Sequence, residues 1–309
     1  MEVSIMIEGQ MGLTWPRWQR LVRAAEDLGF YGIYRSDHFT SPGDAPYDDA
    51  LELWTSLTWL ADNTSRITFG PLVAPVSFRH PVIMAWQASA VSALSGGRLR
   101  LGIGAGWQER EHEAFGFDLL PTKQRLDRFE EAIQVIKMLC SSSTPVSFEG
   151  EYYRLKDAML SPRSPHADGP PIVIGGNGPK RTLPLVAEYA DEWNASGLNN
   201  ADFANRMEIL DGLLEEKGRD PKSVKRTLMT GGLVGKTDEE VREKASGFGM
   251  YDLDRLRQRD AVFGTPDEIV ENLGKKAEIG VQGVMLQWLN PDDISGLELI
   301  AEKVLPQLK

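Results

Sequence analysis

Val3-Ser4-Ile5-Met6-Ile7 is followed by Trp15, Trp18, Leu21, Val22, Ala25 and Leu28 at helical spacing, and then by Gly29. The first run reads as a strand, the spaced set as the buried face of a helix, and the glycine as its stop. The unit repeats. Residues 32–35 form a second strand; a loop holding Pro42, Gly43 and Pro46 leads into a helix over about 49–62, with Leu51, Trp54, Leu57 and Leu60 on one stripe. Strand 67–73, helix 82–94, strand 99–103 and helix 124–139 complete four units. From 141 to 171 the rhythm breaks around two β-prone runs, 146–148 and 152–155, which Glu149-Gly150 joins as a hairpin. It resumes with strand 172–174, helix 180–189, strand 192–195, helix 201–217 and strand 226–234. Residues 235–263 read as a charged, irregular excursion, and helix 266–279, strand 281–287 and helix 292–308 close the chain.

Strands alternating with helices imply a parallel sheet with helical crossovers. At 309 residues, the expected solution is one α/β domain over 1–309, a (β/α)8 TIM barrel with insertion segments near 141–171 and 235–263. A doubly wound open sheet is the alternative, but Glu8-Gly9-Gln10-Met11-Gly12 after the first strand matches a dinucleotide-binding turn poorly. No repeat of 20 to 50 residues is present beyond the alternation itself.

A hydrophobic fraction of 41% is enough for a large core, and a net charge of -11 disfavours nucleic acid and anionic membrane as partners. The single cysteine, Cys140, excludes an internal disulfide and fits a reducing compartment. The N-terminal residues lack the pattern of an export signal, and no run of apolar residues is long enough to span a membrane, so cytoplasmic residence is expected. Asn63-Thr64-Ser65 then reads as a helix-ending turn and not as a glycosylation site.

In a barrel of this kind chemistry sits just past the strands. After the second strand comes Ser36-Asp37-His38-Phe39, where His38 has the residue type for proton exchange near neutrality and Asp37 for orienting it. Gly70-Pro71-Leu72-Val73-Ala74-Pro75 ends the third strand with two prolines, which force a bend or bulge. The bend is either a plain strand terminus or a backbone protrusion supporting a flat ring. Gly102-Ile103-Gly104-Ala105-Gly106-Trp107 follows the fourth strand, with glycines that permit close backbone approach and Trp107 as a candidate wall. The strongest local signal is Ile174-Gly175-Gly176-Asn177-Gly178-Pro179-Lys180-Arg181-Thr182. There, glycines lead into a helix whose first turn would carry Lys180 and Arg181, an anion cradle without the spacing of a nucleotide P-loop. No metal site is expected: His38, His80, His112 and His166 form no ligand pair. The acids around His112 read as a helix start on a solvated face, and no Gly-X-Ser-X-Gly nucleophile motif occurs.

These segments, in this order, together with Pro75-Val76-Ser77-Phe78-Arg79-His80-Pro81 and Leu94-Ser95-Gly96-Gly97-Arg98, resemble the luciferase-like monooxygenase family over nearly the whole chain. A subgroup of coenzyme F-420-dependent oxidoreductases is particularly similar through Gly104-Ala105-Gly106-Trp107. The resemblance implies FMN or coenzyme F-420 (a deazaflavin) as cofactor, a small-molecule substrate and a homodimer. It places His38 beside the ring as the catalytic residue and a non-proline cis peptide at Pro71-Leu72 beneath the ring. Cofactor contacts then fall on Asp37, Pro71, Leu72, Gly104, Ala105, Gly106, Trp107, Ile174, Gly175, Gly176, Asn177, Gly178, Lys180 and Arg181. Two positions depart from the related sugar-phosphate dehydrogenases: Pro42 stands for a tryptophan and Trp107 for a glutamate, which disfavours that chemistry. Deazaflavin-dependent hydride transfer is the expected activity; an FMN-dependent monooxygenase and a non-catalytic flavin-binding protein are the alternatives.

Overall fold

The computed structural model describes residues 1–41, 47–248 and 252–308; Pro42, Gly43 and Pro46 lie outside them. Eight parallel strands follow one another in chain order around a ring. They are β1 (Glu2–Ile7), β2 (Gly32–Arg35), β3 (Thr68–Pro71), β4 (Leu101–Gly104), β5 (Ile172–Gly175), β6 (Glu192–Ser196), β7 (Lys225–Val234) and β8 (Gly283–Gln287). The last returns to the first, with Gly283 opposite Glu2. The seam between β3 and β4 is thinner: one bridge joins Phe69 to Leu99, and the short segment Ala74–Pro75 pairs with Ile103 and Gly104. The sheet is therefore a nearly closed barrel and not an open doubly wound sheet.

Helices cover its outside: α1 (Trp15–Asp27), α2 (Leu53–Asn63), α3 (Pro81–Leu94), α4 (Glu109–Phe115), α5 (Thr122–Ser141), α6 (Thr182–Tyr189), α7 (Asn200–Glu216), α8 (Asp238–Phe248), α9 (Leu253–Gln258), α10 (Pro266–Glu278) and α11 (Ile294–Lys303). The first shows how sequence makes such an element. Pro16 pre-sets its opening turn, Trp18, Leu21, Val22 and Ala25 bury one face, and Gly29, at φ 87°, ends it in a conformation open to glycine. At α10 a reciprocal capping box between Thr265 and Glu268 fixes the start. The main core lies between strands and helices, and a second cluster of Met6, Tyr34, Leu72, Val173 and Met285 fills the barrel interior.

The insertion at 141–171 holds the expected antiparallel hairpin, Val146–Glu149 with Arg154–Ala158. The described residues of the excursion at 235–263 are regular where an irregular segment was expected: they contain α8, α9 and a strand, Val262–Gly264, parallel to the end of β7. Its acids obscured the helix. Asp238, Glu239 and Glu240 occupy the first turn of α8, where negative charge is favoured, and Val241 and Ala245 turn inward onto Leu233. Of the tryptophans on α2 and α3, Trp54 is core, Trp59 is half-buried and Trp86 is exposed. No helix among the described residues is long and apolar enough to cross a membrane.

Glycine at the thin seam is a packing requirement. A Cβ on Gly70 would stand 1.9 Å from the Arg100 carbonyl oxygen, and one on Gly102 would stand 2.1 Å from that of Pro71. Gly102→Ala is therefore expected to cost about 1–3 kcal/mol and to lower Tm by at least ~3 °C. Gly212→Ala, in the open on α7, is expected to leave Tm level or slightly raised. Calorimetry of the two variants checks the pair, and equal melting temperatures would contradict it.

Candidate active site at the carboxyl ends of the strands

His38 leaves the end of β2 and is held by a residue the sequence reading assigned to a solvated surface. Glu111, on α4, is 1% exposed; its Oε1 lies 2.7 Å from His38 Nδ1 and its Oε2 accepts the Phe39 backbone N–H at 3.0 Å. A carboxylate only accepts, so Nδ1 carries the proton and Nε2 is left for another partner. Burial by itself lowers the imidazole pKa. The hydrogen bond and charge of Glu111 outweigh it, with Glu8 and Asp37 adding, and the value is raised above the ordinary one.

The helix that delivers Glu111 is itself pinned on both sides. His112 Nδ1 donates to the Gln108 carbonyl at 2.7 Å and Nε2 meets Ser77 Oγ at 2.8 Å. Gln108 Nε2 donates to Thr40 Oγ1 at 2.7 Å, and Phe39 packs against Phe78, Phe115 and Phe117. A short charged helix thus becomes a rigid arm. Only the Glu111-His112 pair, one turn after Gln108, hinted at this in the sequence, and surrounding acids masked it.

Asp37 does not orient the ring. Its carboxylate is buried and ion-paired with Arg79, whose Nη2 also reaches Glu52 at 3.0 Å. Burial, only partly offset by Arg79, holds the Asp37 carboxyl above its usual range. Behind it, Arg35 is 1% exposed and donates to Ser56 Oγ at 2.7 Å. This chain of charges fixes the β2 end. On the other side of His38, Glu8 accepts from Gln10 at 3.0 Å and from Gln287 at 2.6 Å, and Ser36 donates to Gln10 at 2.7 Å.

The cis peptide after β3 falls one residue later than expected, at Leu72-Val73 and not Pro71-Leu72. Pro71 still belongs to β3, so the chain turns only after Leu72. Val73 then fills the space over glycines at the ends of β4 and β5: a Cβ on Gly104 would stand 2.6 Å from Val73 Cγ2, and one on Gly175 3.1 Å from Cγ1. These glycines admit a neighbouring strand as much as any ligand. Gly106 is a different case, since its φ is 84° and it leads the chain from the half-buried Ala105 to the exposed Trp107. The Trp107 ring is 61% exposed and stands edge-on to His38, centroids 5.6 Å apart.

Across the mouth, Ile174 is core and Gly175, Gly176, Asn177 and Gly178 form the turn after β5. Asn177 ties this turn to the end of β6, donating to the Ser196 carbonyl at 2.8 Å and accepting the Ser196 N–H at 3.0 Å. Among the described residues no acceptor takes the N–H groups of Asn177, Gly178 and Lys180. Helix α6 begins only at Thr182, so Lys180 and Arg181 precede it and do not form its first turn. Lys180 is exposed, whereas Arg181 is turned away to Asp127 on α5 at 2.6 Å.

The profile of the luciferase-like monooxygenase family matches residues 2–256. The chain belongs to the luciferase-like monooxygenase family. A family relative, the F420-dependent hydroxymycolic acid dehydrogenase of Mycobacterium tuberculosis, is 27% identical over 319 residues, covering 95% of this chain and 85% of its own. The F420-dependent glucose-6-phosphate dehydrogenase of Intrasporangium calvum is 27% identical over 324 residues, 92% of each chain. The fold is shared with the oxygenating constituent of 3,6-diketocamphane monooxygenase of Pseudomonas putida, solved in complex with FMN. Its TM-score is 0.79 at 18% identity, over 100% of this chain and 99% of that one.

Proposed function

We propose that this luciferase-like chain is a deazaflavin-dependent oxidoreductase exchanging hydride with a carbonyl-bearing or unsaturated small molecule. The observation that carries the reading is the His38–Glu111 pair at 2.7 Å, which fixes an imidazole at the barrel mouth with Nε2 open. The F-420-dependent relatives support the cofactor choice. The residues fit such a group: Leu72 and Val73 offer an apolar support, and the N–H groups of Asn177, Gly178 and Lys180, with the Lys180 ammonium, suit a phosphate. When bound, the deazaflavin supplies a hydride. His38 Nε2 would give a proton to the substrate oxygen in the direction of reduction and take it back in the reverse direction, balancing the hydride that such a group would supply or accept. Glu111 holds the ring and its positive charge.

Titration with F-420 and with FMN, each followed by oxygen uptake during turnover, tests the choice. Tighter F-420 binding and turnover without oxygen are expected; oxygen consumed in step with FMN turnover would establish the monooxygenase reading instead. For the phosphate, Lys180→Ala is expected to weaken FMN about tenfold, the worth of one charge-assisted hydrogen bond, and to leave riboflavin unchanged. Arg181→Ala is expected to do less, because Asp127 already engages that guanidinium. Equal losses for FMN and riboflavin would remove the cradle.

We also infer a homodimer. Ile83, Trp86 and Leu94 are 50%, 46% and 48% exposed and lie along one side of α3. Sedimentation equilibrium at micromolar concentration is expected to return twice the chain mass, and monomer alone would overturn the inference. Cytoplasmic residence fits the free, buried thiol of Cys140.

A further inference from the structure

The mouth of the barrel is divided by polarity. Cations stand on the side of β5 to β7: Lys180 is exposed, Arg206 is half-buried with its Nε donating to the Asn177 carbonyl at 3.1 Å, and Arg259 borders Gly197. On the side of β2 to β4 the charges near His38 are already answered. Glu111 is taken by His38 and the Phe39 N–H, Glu8 by Gln10 and Gln287, and Arg79 by Asp37 and Glu52. The Arg110 guanidinium donates to the Ser41 carbonyl at 3.0 Å. What this side leaves open is aromatic. The Trp107 ring is 61% exposed beside His38, and Phe115, 49% exposed, caps the aromatic cluster under α4.

We propose that the substrate is a neutral compound with an apolar ring or chain next to its reacting carbon, and that Trp107 receives that group and sets this specificity. The proposal rests on the hydride-transfer reading for the reacting carbon, and on the structure for its neighbour. A large exposed indole gains most from a flat or aliphatic partner that removes it from water. A phosphate or carboxylate at the same place would face the Glu8 carboxylate, which neutral amides engage, while Arg79 is already neutralised by Asp37 and Glu52. The anionic part of a ligand belongs to the opposite side of the mouth, where the cations are.

The test uses acetophenone as the apolar probe and glucose 6-phosphate as the charged one, each titrated by saturation-transfer NMR into the protein with and without oxidised F-420. Acetophenone is expected to bind at least tenfold more tightly. Trp107→Ala is expected to weaken acetophenone about tenfold, the worth of one well-stacked aromatic contact, in the cofactor-free protein as well as with F-420 present. Trp107→Phe is expected to recover most of the loss. Glucose 6-phosphate binding as tightly as acetophenone, or unchanged acetophenone affinity in Trp107→Ala, overturns the proposal. Should neither F-420 nor FMN bind, the hydride-transfer reading fails by itself, and acetophenone titration of the cofactor-free protein still decides the role of Trp107.

Discussion

His38→Ala is expected to lower turnover by about 10²- to 10⁴-fold, the usual worth of a positioned general acid or base, while F-420 affinity stays within a few-fold of the parent. The split between kcat and cofactor binding is the informative part. His38 presents only Nε2 to the mouth, because Nδ1 is committed to Glu111; its side chain is only 17% exposed, so the substitution also leaves a cavity and an unpaired Glu111, and the kinetic loss is read beside the Tm of the variant. Stopped-flow oxidation of bound reduced deazaflavin by substrate measures the step. Undiminished turnover would remove the catalytic role and leave His38 as a packing residue.

Glu111→Gln is expected to produce the second largest effect, and its signature is a displaced pH profile. In the parent, the raised imidazole pKa keeps His38 protonated further up the pH scale than a free histidine. Carbonyl reduction, which consumes that proton, therefore falls as pH rises through the raised value; the reverse oxidation, which needs the neutral ring, rises there. Glutamine keeps the shape and an acceptor oxygen but removes the charge, so the folded-state pKa falls and both limbs move to lower pH. At neutral pH, reduction is expected to slow by about tenfold or more. The same linkage gives a stability consequence. The pair's contribution is fully present below the unfolded histidine pKa and is lost as pH rises through the folded one. A slower enzyme with an unshifted profile would make Glu111 a structural residue only.

The barrel was legible because its rhythm is local. Strand β1 and helix α1 announce themselves by period, Pro16 and Gly29 mark helix ends, and the hairpin at 146–158 carries its own turn. The region 235–263 hid its helices because acids fill the first turn of α8 and so little of it is apolar. The site was legible only residue by residue. His38 stood in a recognisable motif, but its partner lies 73 residues away in a helix whose acids look solvent-facing until Phe39, Phe78 and Phe117 bury one side. Asp37 was the natural candidate from adjacency alone; Arg79, 42 residues on, claims it instead. Likewise, nothing in Lys180-Arg181 shows that the second cation turns back to Asp127. Long-range pairings of this kind are fixed by the closed barrel and leave no trace in spacing.

The central claim is hydride transfer without oxygen, with His38 supplying the proton. It is tested most directly by an anaerobic single turnover of the protein loaded with F-420 reduced with deuterium at its hydride-donating carbon, using acetophenone as acceptor. Cofactor oxidation with one deuterium on the carbinol carbon of the product is expected, and its near-disappearance in His38→Ala. Cofactor that stays reduced until oxygen is admitted, or product without deuterium at that carbon, would contradict it.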